Sequence, residues 1–293
     1  MHKRVVFQNR WLPYVLLAPQ LLITIIFFFL PASQAIKQSV MLEDPFGLSS
    51  EFVGWANFAT LFADPNYLAS FKTTIIFSCL VAFLGLSISL LLAVCADRVL
   101  RWGGPYKTFL IIPYAVAPAV AGVLWMFIFN PTVGVLSYAM QQMGYDWNYM
   151  INANQAMALI VIAAVWKQVS YNFIFFLAGL QAIPKSLLEA AAMDGAGPIR
   201  RFWTVVFPLL SPTTFYLLVM NIVYAFFETF AVVDATTMGG PGQETNILVY
   251  KVFVDGFRNM DYGGSAAQSV VLMVMVIALT VIQFRFIERR VNY

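Results

Sequence analysis

Six stretches of this chain are each long and apolar enough to cross a bilayer, near residues 12–31, 71–96, 108–129, 155–180, 208–233 and 267–286. A transmembrane helix needs about 20 mostly apolar residues. Backbone groups in lipid must pair within their own segment or in a closed barrel. Barrel strands alternate over about ten residues, and these runs do not. The sequence therefore predicts an all-α membrane protein with about six transmembrane helices. Composition agrees: 61% of the 293 residues are hydrophobic and 11% charged, against about 25% charged in a soluble domain. The first run follows Lys3, Arg4 and Arg10 and has some character of a signal peptide. It is longer than the usual apolar core of about 7–15 residues, which predicts a retained helix.

Orientation follows from the basic residues of the connections. With the N-terminus inside, the cytoplasmic pieces hold Lys3, Arg4, Arg10, Arg98, Arg101, Lys107, Lys185, Arg200, Arg201, Arg285, Arg289 and Arg290. The outer pieces hold Lys37, Lys72, Lys251 and Arg258, together with Glu43, Asp44, Glu51, Asp64, Asp146, Asp234, Glu244, Asp255 and Asp261. That asymmetry places both termini in the cytoplasm and requires an even number of spans. The outer connection 35–70 contains Pro45, Gly47, Gly54 and Pro65 and reads as a loop with short helices.

Several chemistries are excluded. Cys79 and Cys95 have neither metal nor disulfide spacing and read as buried structural thiols. His2 stands alone near the start, so no histidine cluster can hold a metal or serve as a general base. Basic character distributed in this way suits a membrane lipid surface and not nucleic acid. A G-x-x-x-x-G-K-[ST] phosphate cradle is missing from the sequence; Gly103-Gly104-Pro105-Tyr106-Lys107-Thr108 has the wrong spacing. Most of the tryptophans, Trp147 among them, sit near segment ends as an interfacial belt would. Trp125 and Trp166 lie deeper and read as packing residues. Phe27, Phe28, Phe29, Phe226 and Phe227 read as lipid-facing or packing side chains.

The connection 183–208 carries the most information. Pro184 suits the first turn of a helix. Leu187, Leu188, Ala190, Ala191 and Ala192 are good helix formers. Gly195 and Gly197 can stop that helix, and Pro198 can open another running to Pro208. A helix, a glycine elbow and a second helix would then lie on the inner membrane surface. An ordinary amphipathic surface helix is the plain alternative. The small run Ala190-Ala191-Ala192 favours close approach by a partner protein.

Glu189-Ala190-Ala191, three residues, Gly195, nine residues, then Val205-Val206-Phe207-Pro208 resembles the EAA loop of ATP-binding-cassette (ABC) importer permeases. The family pattern ends Ile-x-Leu-Pro, so the chain departs at Val205 and Phe207. Asp194 before Gly195 fits the frequent Asp-Gly-Ala form. Thr237-Met238-Gly239-Gly240-Pro241 resembles an outer element of the sugar-type, MalF/MalG-like permeases. The stretches 11–14, 113–120, 166–173 and 265–273 are similar to UgpA-type permeases of glycerol-3-phosphate importers.

The resemblance implies an ABC permease core over 71–293, with its EAA loop near 183–208. Residues 1–70 would form the tail, first helix and outer loop. It implies a second, UgpE-like permease, two copies of a UgpC-like ATPase and a UgpB-like binding protein that delivers substrate. ATP and Mg would be bound by the partner ATPase, leaving this chain without a cofactor or catalytic residue. Glu189, Ala190, Ala191, Asp194, Gly195 and Pro208 would couple to that ATPase. Its closure would rock the helices between inward-open and outward-open states. The expected substrate is sn-glycerol-3-phosphate or a related glycerophosphodiester. A neutral sugar or oligosaccharide is the alternative, and a stand-alone secondary transporter would leave the EAA loop unexplained.

A charge within the hydrocarbon costs about 2.5–3.5 kcal/mol on insertion scales and requires a reason. Lys167 lies mid-span, with Ser170 and Tyr171 at helical spacing on the same face. Asn221, Tyr224 and Glu228 make one polar stripe on the fifth span. Lys167 would compensate an anionic substrate such as a phosphate ester, while Gln168, Asn172 and Asn221 bond its hydroxyls. Tyr171 and Glu228 complete the candidate path. Alternatively Lys167 and Glu228 pair with each other or with the second permease, since polar groups often join helices in lipid.

Overall fold

Two proline-containing helices of this chain widen by one residue immediately before the ring. A proline in a helix clashes with the carbonyl four residues back, and a π turn is one way to make room. Helix α1 (Leu12–Gln38) contains a π turn at Ile25–Phe29, followed by Leu30-Pro31. The helix therefore continues past the expected end near residue 31. A second π turn, Phe202–Val206, precedes Phe207-Pro208 in the same way. The structure, a computed structural model, describes residues 11–44, 48–98 and 103–287. His2, Lys3, Arg4, Arg10, Pro45, Gly47, Arg101, Trp102, Arg289 and Arg290 lie outside the described residues.

The chain divides into two compact units, 1–63 with 252–271, and 64–251 with 272–293. In the first unit, no residue of α1 is buried along its most apolar window, and Phe27, Phe28 and Phe29 are 68%, 69% and 66% exposed. A helix apolar all round is a helix for lipid or for other protein surfaces. Strands β1 (Met41–Glu43) and β2 (Ser50–Phe52) follow as an antiparallel hairpin with Met41 opposite Phe52. That hairpin was not expected in an all-α reading; its three-residue strands are too short to show a period of two. Asn57, on α2 (Ala56–Ala63), donates through Nδ2 to the carbonyls of Ser39 and Met41 at 2.9 Å each. It ties the end of α1, the hairpin and α2 together.

The second unit is built on α3 (Pro65–Arg98). Asp64 caps it, accepting from the Asn66 N–H at 2.9 Å and the Tyr67 N–H at 3.2 Å. With Pro65 in the first position, this is a strong start signal, and it begins the helix before the expected residue 71. Helices α4 (Gly103–Ile111) and α5 (Pro118–Ile128) follow, and then the short α6 (Val135–Gln142). Next comes α7 (Ala153–Ala182), capped by the Asn152 side chain. Helices α3 and α7 pack through Ala93, Ala96, Phe173, Phe176 and Leu177, with Leu217 completing the cluster. A second cluster joins Phe129, Trp147, Tyr149, Ala156 and Leu159. Trp147 was expected in an interfacial belt; it is buried instead, its indole donating to the Phe129 carbonyl at 3.1 Å. Trp125 and Trp166 do pack, edge to face at 5.9 Å.

The third and fifth spans are not straight. Segments Gly104–Ala115 and Pro118–Ile128 meet at 104°. Val116 and Ala117 are extended, as the residue before Pro118 must be. The expected continuous helix over 108–129 is thus two pieces. The fifth span bends by 67° between α9 (Pro198–Leu209) and α10 (Ser211–Glu228), around Leu210. It then continues as α11 (Phe230–Thr236). The last elements are α12 (Leu248–Phe253) and α13 (Tyr262–Ile282). Among the described residues four helices are long and apolar enough to cross a membrane, or six spans when each bent pair is counted as one. Cys79 and Cys95 are exposed, not buried. Helix faces that meet lipid stay apolar, so hydrophobicity does not predict burial here.

Candidate coupling elbow and substrate path

The glycine elbow forms as the sequence requires. Helix α8 (Lys185–Met193) starts after Pro184, which takes the capping position and not the first turn. It ends in a paired closure: Ala196 N–H donates to Ala191 O, and Gly195 N–H to Ala192 O, both at 3.0 Å. Gly195 has φ +79°, the left-handed conformation that lets the chain reverse. Pro198 opens α9, whose Arg201 Nη1 donates to the Leu188 carbonyl at 3.4 Å and braces the two helices.

This elbow is presented outward. Glu189, Ala190, Asp194 and Gly195 are exposed, Ala191 and Pro208 half-buried. Leu187, Met193, Ile199 and Trp203 add exposed apolar surface at 44%, 89%, 77% and 59%. Behind it lies a cavity of about 330 Å³ lined by residues that include Asp97, Leu188, Arg201 and Val206. A protruding helix with an acidic side chain, a small-residue face and space behind it can seat in a partner's cleft and shift as a lever.

The path residues separate into two groups. Asn172 and Asn221 are fully buried and bond each other: Asn172 Nδ2 donates to Asn221 Oδ1 at 3.1 Å, and Asn221 Nδ2 to Asn172 Oδ1 at 2.8 Å. Asn221 Nδ2 also donates to the Leu217 carbonyl at 2.7 Å. These amides join α7 to α10 and are turned away from open volume. Gln168 is also buried, at 6% exposure.

Lys167 and Tyr171 form the open group. Lys167 Nζ donates to the Tyr114 carbonyl at 3.4 Å and lies 5.2 Å from the centre of the Tyr114 ring. Among the described residues no carboxylate pairs with it, so the alternative of a Lys167–Glu228 pair is not adopted in this chain. The Tyr171 and Tyr216 hydroxyls are 2.8 Å apart. Ser170, expected on this face, is buried at 1% exposure and lines a cavity of about 490 Å³ with Trp125 and Trp166.

The stripe Asn221, Tyr224, Glu228 changes in exposure along its length. Asn221 and Tyr224 are buried, and Glu228, the last residue of the π turn Tyr224–Glu228, is exposed. Glu228 nonetheless stays close enough to Tyr224 and Tyr171 for its carboxylate to act on both hydroxyls. Tyr114, Tyr216 and Gly85 were not singled out from sequence as site residues. Tyr114 reaches Lys167 only through the 104° break, and Tyr216 reaches Tyr171 across two helices, so no spacing along the chain marks either.

At the other end of the second unit, Thr237 and the Gly-Gly-Pro element form a tight knot. Thr245 Oγ1 donates to the Gly240 carbonyl at 2.7 Å and lies 2.8 Å from the Thr237 hydroxyl. Leu248 N–H donates to Thr74 Oγ1 at 2.8 Å, and Lys251 Nζ meets Asp64 Oδ2 at 3.7 Å. The knot is thereby fastened to the start of α3.

The family described as binding-protein-dependent transport system inner membrane component matches residues 4–293. The chain belongs to that family. Curated relatives of this transport-system component extend along nearly its whole length. The sn-glycerol-3-phosphate transport system permease protein UgpA of Agrobacterium fabrum is 62% identical over 289 residues, 99% of each chain. The UgpA protein of Yersinia pseudotuberculosis is 61% identical over 287 residues, 98% of each. Among solved structures, a chain of a bacterial ABC transporter involved in import of the acidic polysaccharide alginate superposes with a TM-score of 0.80 at 21% identity, covering 94% of this chain and 96% of that one. A second alginate transporter structure, in complex with a pentasaccharide-bound periplasmic protein, gives 0.83 at 20% identity and 96% of each. At that identity they establish a shared fold. This inner membrane component is thus a multi-helix membrane permease of the ABC importer fold, as the EAA spacing led one to expect.

Proposed function

We propose that the chain is the permease subunit through which sn-glycerol-3-phosphate, or a related glycerophosphodiester, is imported across the inner membrane by alternating access. A separate ATPase supplies the energy. The observation that carries the substrate is Lys167, an ammonium within a membrane span that meets a carbonyl and a ring face but no carboxylate among the described residues. A bare cation in a low-dielectric site is costly, and an anionic substrate compensates it. Relatives 60–62% identical that are named for sn-glycerol-3-phosphate transport support the same choice.

The division of labour follows from the elbow. Glu189 and the Ala190-Ala191 face seat in a cleft of the ATPase, while Asp194 and Gly195 set the angle at which α9 leaves. Pro208 lies where α9 passes toward the 67° bend, so movement of the elbow is delivered to α10. A second permease, two ATPase copies and a substrate-binding protein complete the importer. ATP and Mg reside in the ATPase, and this chain performs no catalysis. Both termini lie in the cytoplasm, a reading supported by the basic residues of the connections.

Uptake of labelled sn-glycerol-3-phosphate in cells lacking only this chain tests the proposal. Restoration by a plasmid carrying the gene supports it. If the protein is made and assembles but uptake does not return, the substrate assignment falls. A neutral sugar is then the next reading, since Tyr114, Tyr171, Phe175 and Tyr216 form a connected row of rings that sugars can stack on.

A further inference from the structure

Three separate elements of the second unit supply one connected row that runs from Lys167 through Tyr114 and Tyr171 to Tyr216, with the Glu228 carboxylate close enough to act on the Tyr171 hydroxyl. The turn after α4 brings Tyr114, α7 brings Lys167 and Tyr171 four residues apart on one face, and α10 brings Tyr216. Tyr216 and Tyr114 are 41% and 50% exposed, so the row is open on one side. Phe175 sits between the tyrosines, 4.9 Å from the Tyr171 ring and 5.2 Å from the Tyr216 ring, and fixes both rings by packing. Their hydroxyls share one hydrogen bond at 2.8 Å. Two hydroxyls have two hydrogens, and the shared bond uses one. Either oxygen can be the donor; with Tyr171 donating, the Tyr216 hydrogen is left for whatever occupies the open side.

We propose that Tyr216, paired with Tyr171, is a specificity-determining residue that donates a hydroxyl hydrogen bond to the phosphate of the substrate held by Lys167. This rests on the reading that Lys167 faces an anionic substrate. A phosphate ester presents charged terminal oxygens that accept several strong hydrogen bonds. One ammonium and a fixed hydroxyl pair match that demand. Among the described residues Lys167 is held by the neutral Tyr114 carbonyl and ring, weak partners that a phosphate replaces. A neutral polyol gains nothing from the ammonium, so the same residues discriminate against it.

The test uses the full chain, purified from membranes with its attached subunits, in lipid nanodiscs without binding protein. Binding of radiolabelled sn-glycerol-3-phosphate is measured beside radiolabelled glycerol for the parent, Tyr216→Phe, Tyr171→Phe and Lys167→Met. Tyr216→Phe keeps the ring against Phe175 and removes only the hydroxyl. Losing a hydrogen bond to a charged group weakens binding about tenfold or more. The expected result is that loss for sn-glycerol-3-phosphate in Tyr216→Phe, with glycerol unaffected. Should Tyr216→Phe fail to insert, Tyr171→Phe, which keeps the Tyr216 donor but removes the hydroxyl that orients it, should weaken sn-glycerol-3-phosphate binding by less than about tenfold with glycerol unaffected, and binding equal to the parent would overturn the role of Tyr216. If Tyr216→Phe binds like the parent while Lys167→Met does not, the role of Tyr216 is overturned and the reading of Lys167 stands. If neither variant differs from the parent, or the parent binds no sn-glycerol-3-phosphate, both fall. Equal weakening toward glycerol also overturns the proposal, because the hydroxyl then serves packing or the glycerol moiety.

Discussion

Asn172 and Asn221 exchange two side-chain hydrogen bonds, at 3.1 and 2.8 Å, across the interface of α7 and α10 in the buried centre of the second unit. Each satisfies the other, so removing one strands its partner where no water can replace it. A stranded buried group costs about 1–3 kcal/mol, while deletion of both partners leaves nothing unpaired. Asn172→Ala and Asn221→Ala should each lower the thermal unfolding midpoint of the purified protein. The double variant should lose less than the sum of the two. Additive losses would show that the amides do not act as a pair.

Gly85 and Gly122 are close-approach positions. A Cβ on Gly85 would sit 3.2 Å from Asn221 Oδ1, and one on Gly122 would sit 3.0 Å from Ala235 Cβ and 3.1 Å from the Val232 carbonyl. Gly122→Val should therefore destabilise the protein by about 1–3 kcal/mol through overpacking. Gly104→Ala meets nothing within 4 Å and lies in a helix, so it should be neutral or stabilising by up to about 1 kcal/mol. Thermal melts of both variants in detergent check the contrast. A destabilised Gly104→Ala beside an unchanged Gly122→Val would refute it.

Gly195→Val places a β-branched residue at φ +79°, a conformation that costs an L-residue about 1–2 kcal/mol. The elbow should open and the angle between α8 and α9 should change. The chain should still insert, since the spans are untouched. Co-purification of the ATPase should fall sharply, and uptake by more than tenfold. Glu189→Ala should weaken co-purification while leaving the elbow closed. Normal ATPase recovery with both variants would remove the elbow from the coupling pathway.

Asp64 has two duties, as cap of α3 and as partner of Lys251 at 3.7 Å. Asp64→Ala loses the cap, worth about 1 kcal/mol, and also leaves the 7%-exposed Lys251 without this carboxylate. Lys251→Met removes the ion pair but leaves the cap intact, and its replacement buries well. Asp64→Ala should be the more destabilised of the two. Protease sensitivity of the 237–251 knot should rise with it. The reverse order would assign the anchoring to other contacts.

The elbow was legible from sequence because its determinants are local. Proline before the helix, alanines within it and a glycine able to adopt positive φ specify helix, reversal and helix with no help from distant contacts. The six apolar runs were legible for a similar reason: the bilayer acts on each segment separately and requires each to satisfy its own backbone. Only the tertiary structure decided the rest. The 104° break near Pro118 carries Tyr114 to Lys167, a meeting that no spacing along the chain marks. The roles of the polar side chains also depended on partners far away in sequence. Asn172 and Lys167 lie five residues apart on one helix. Asn172 closes on Asn221 in the core, whereas Lys167 reaches Tyr114 at the break and stays open. A sequence fixes how often a polar group recurs along a helix, but which of those groups is satisfied internally is set by the helix packed against it.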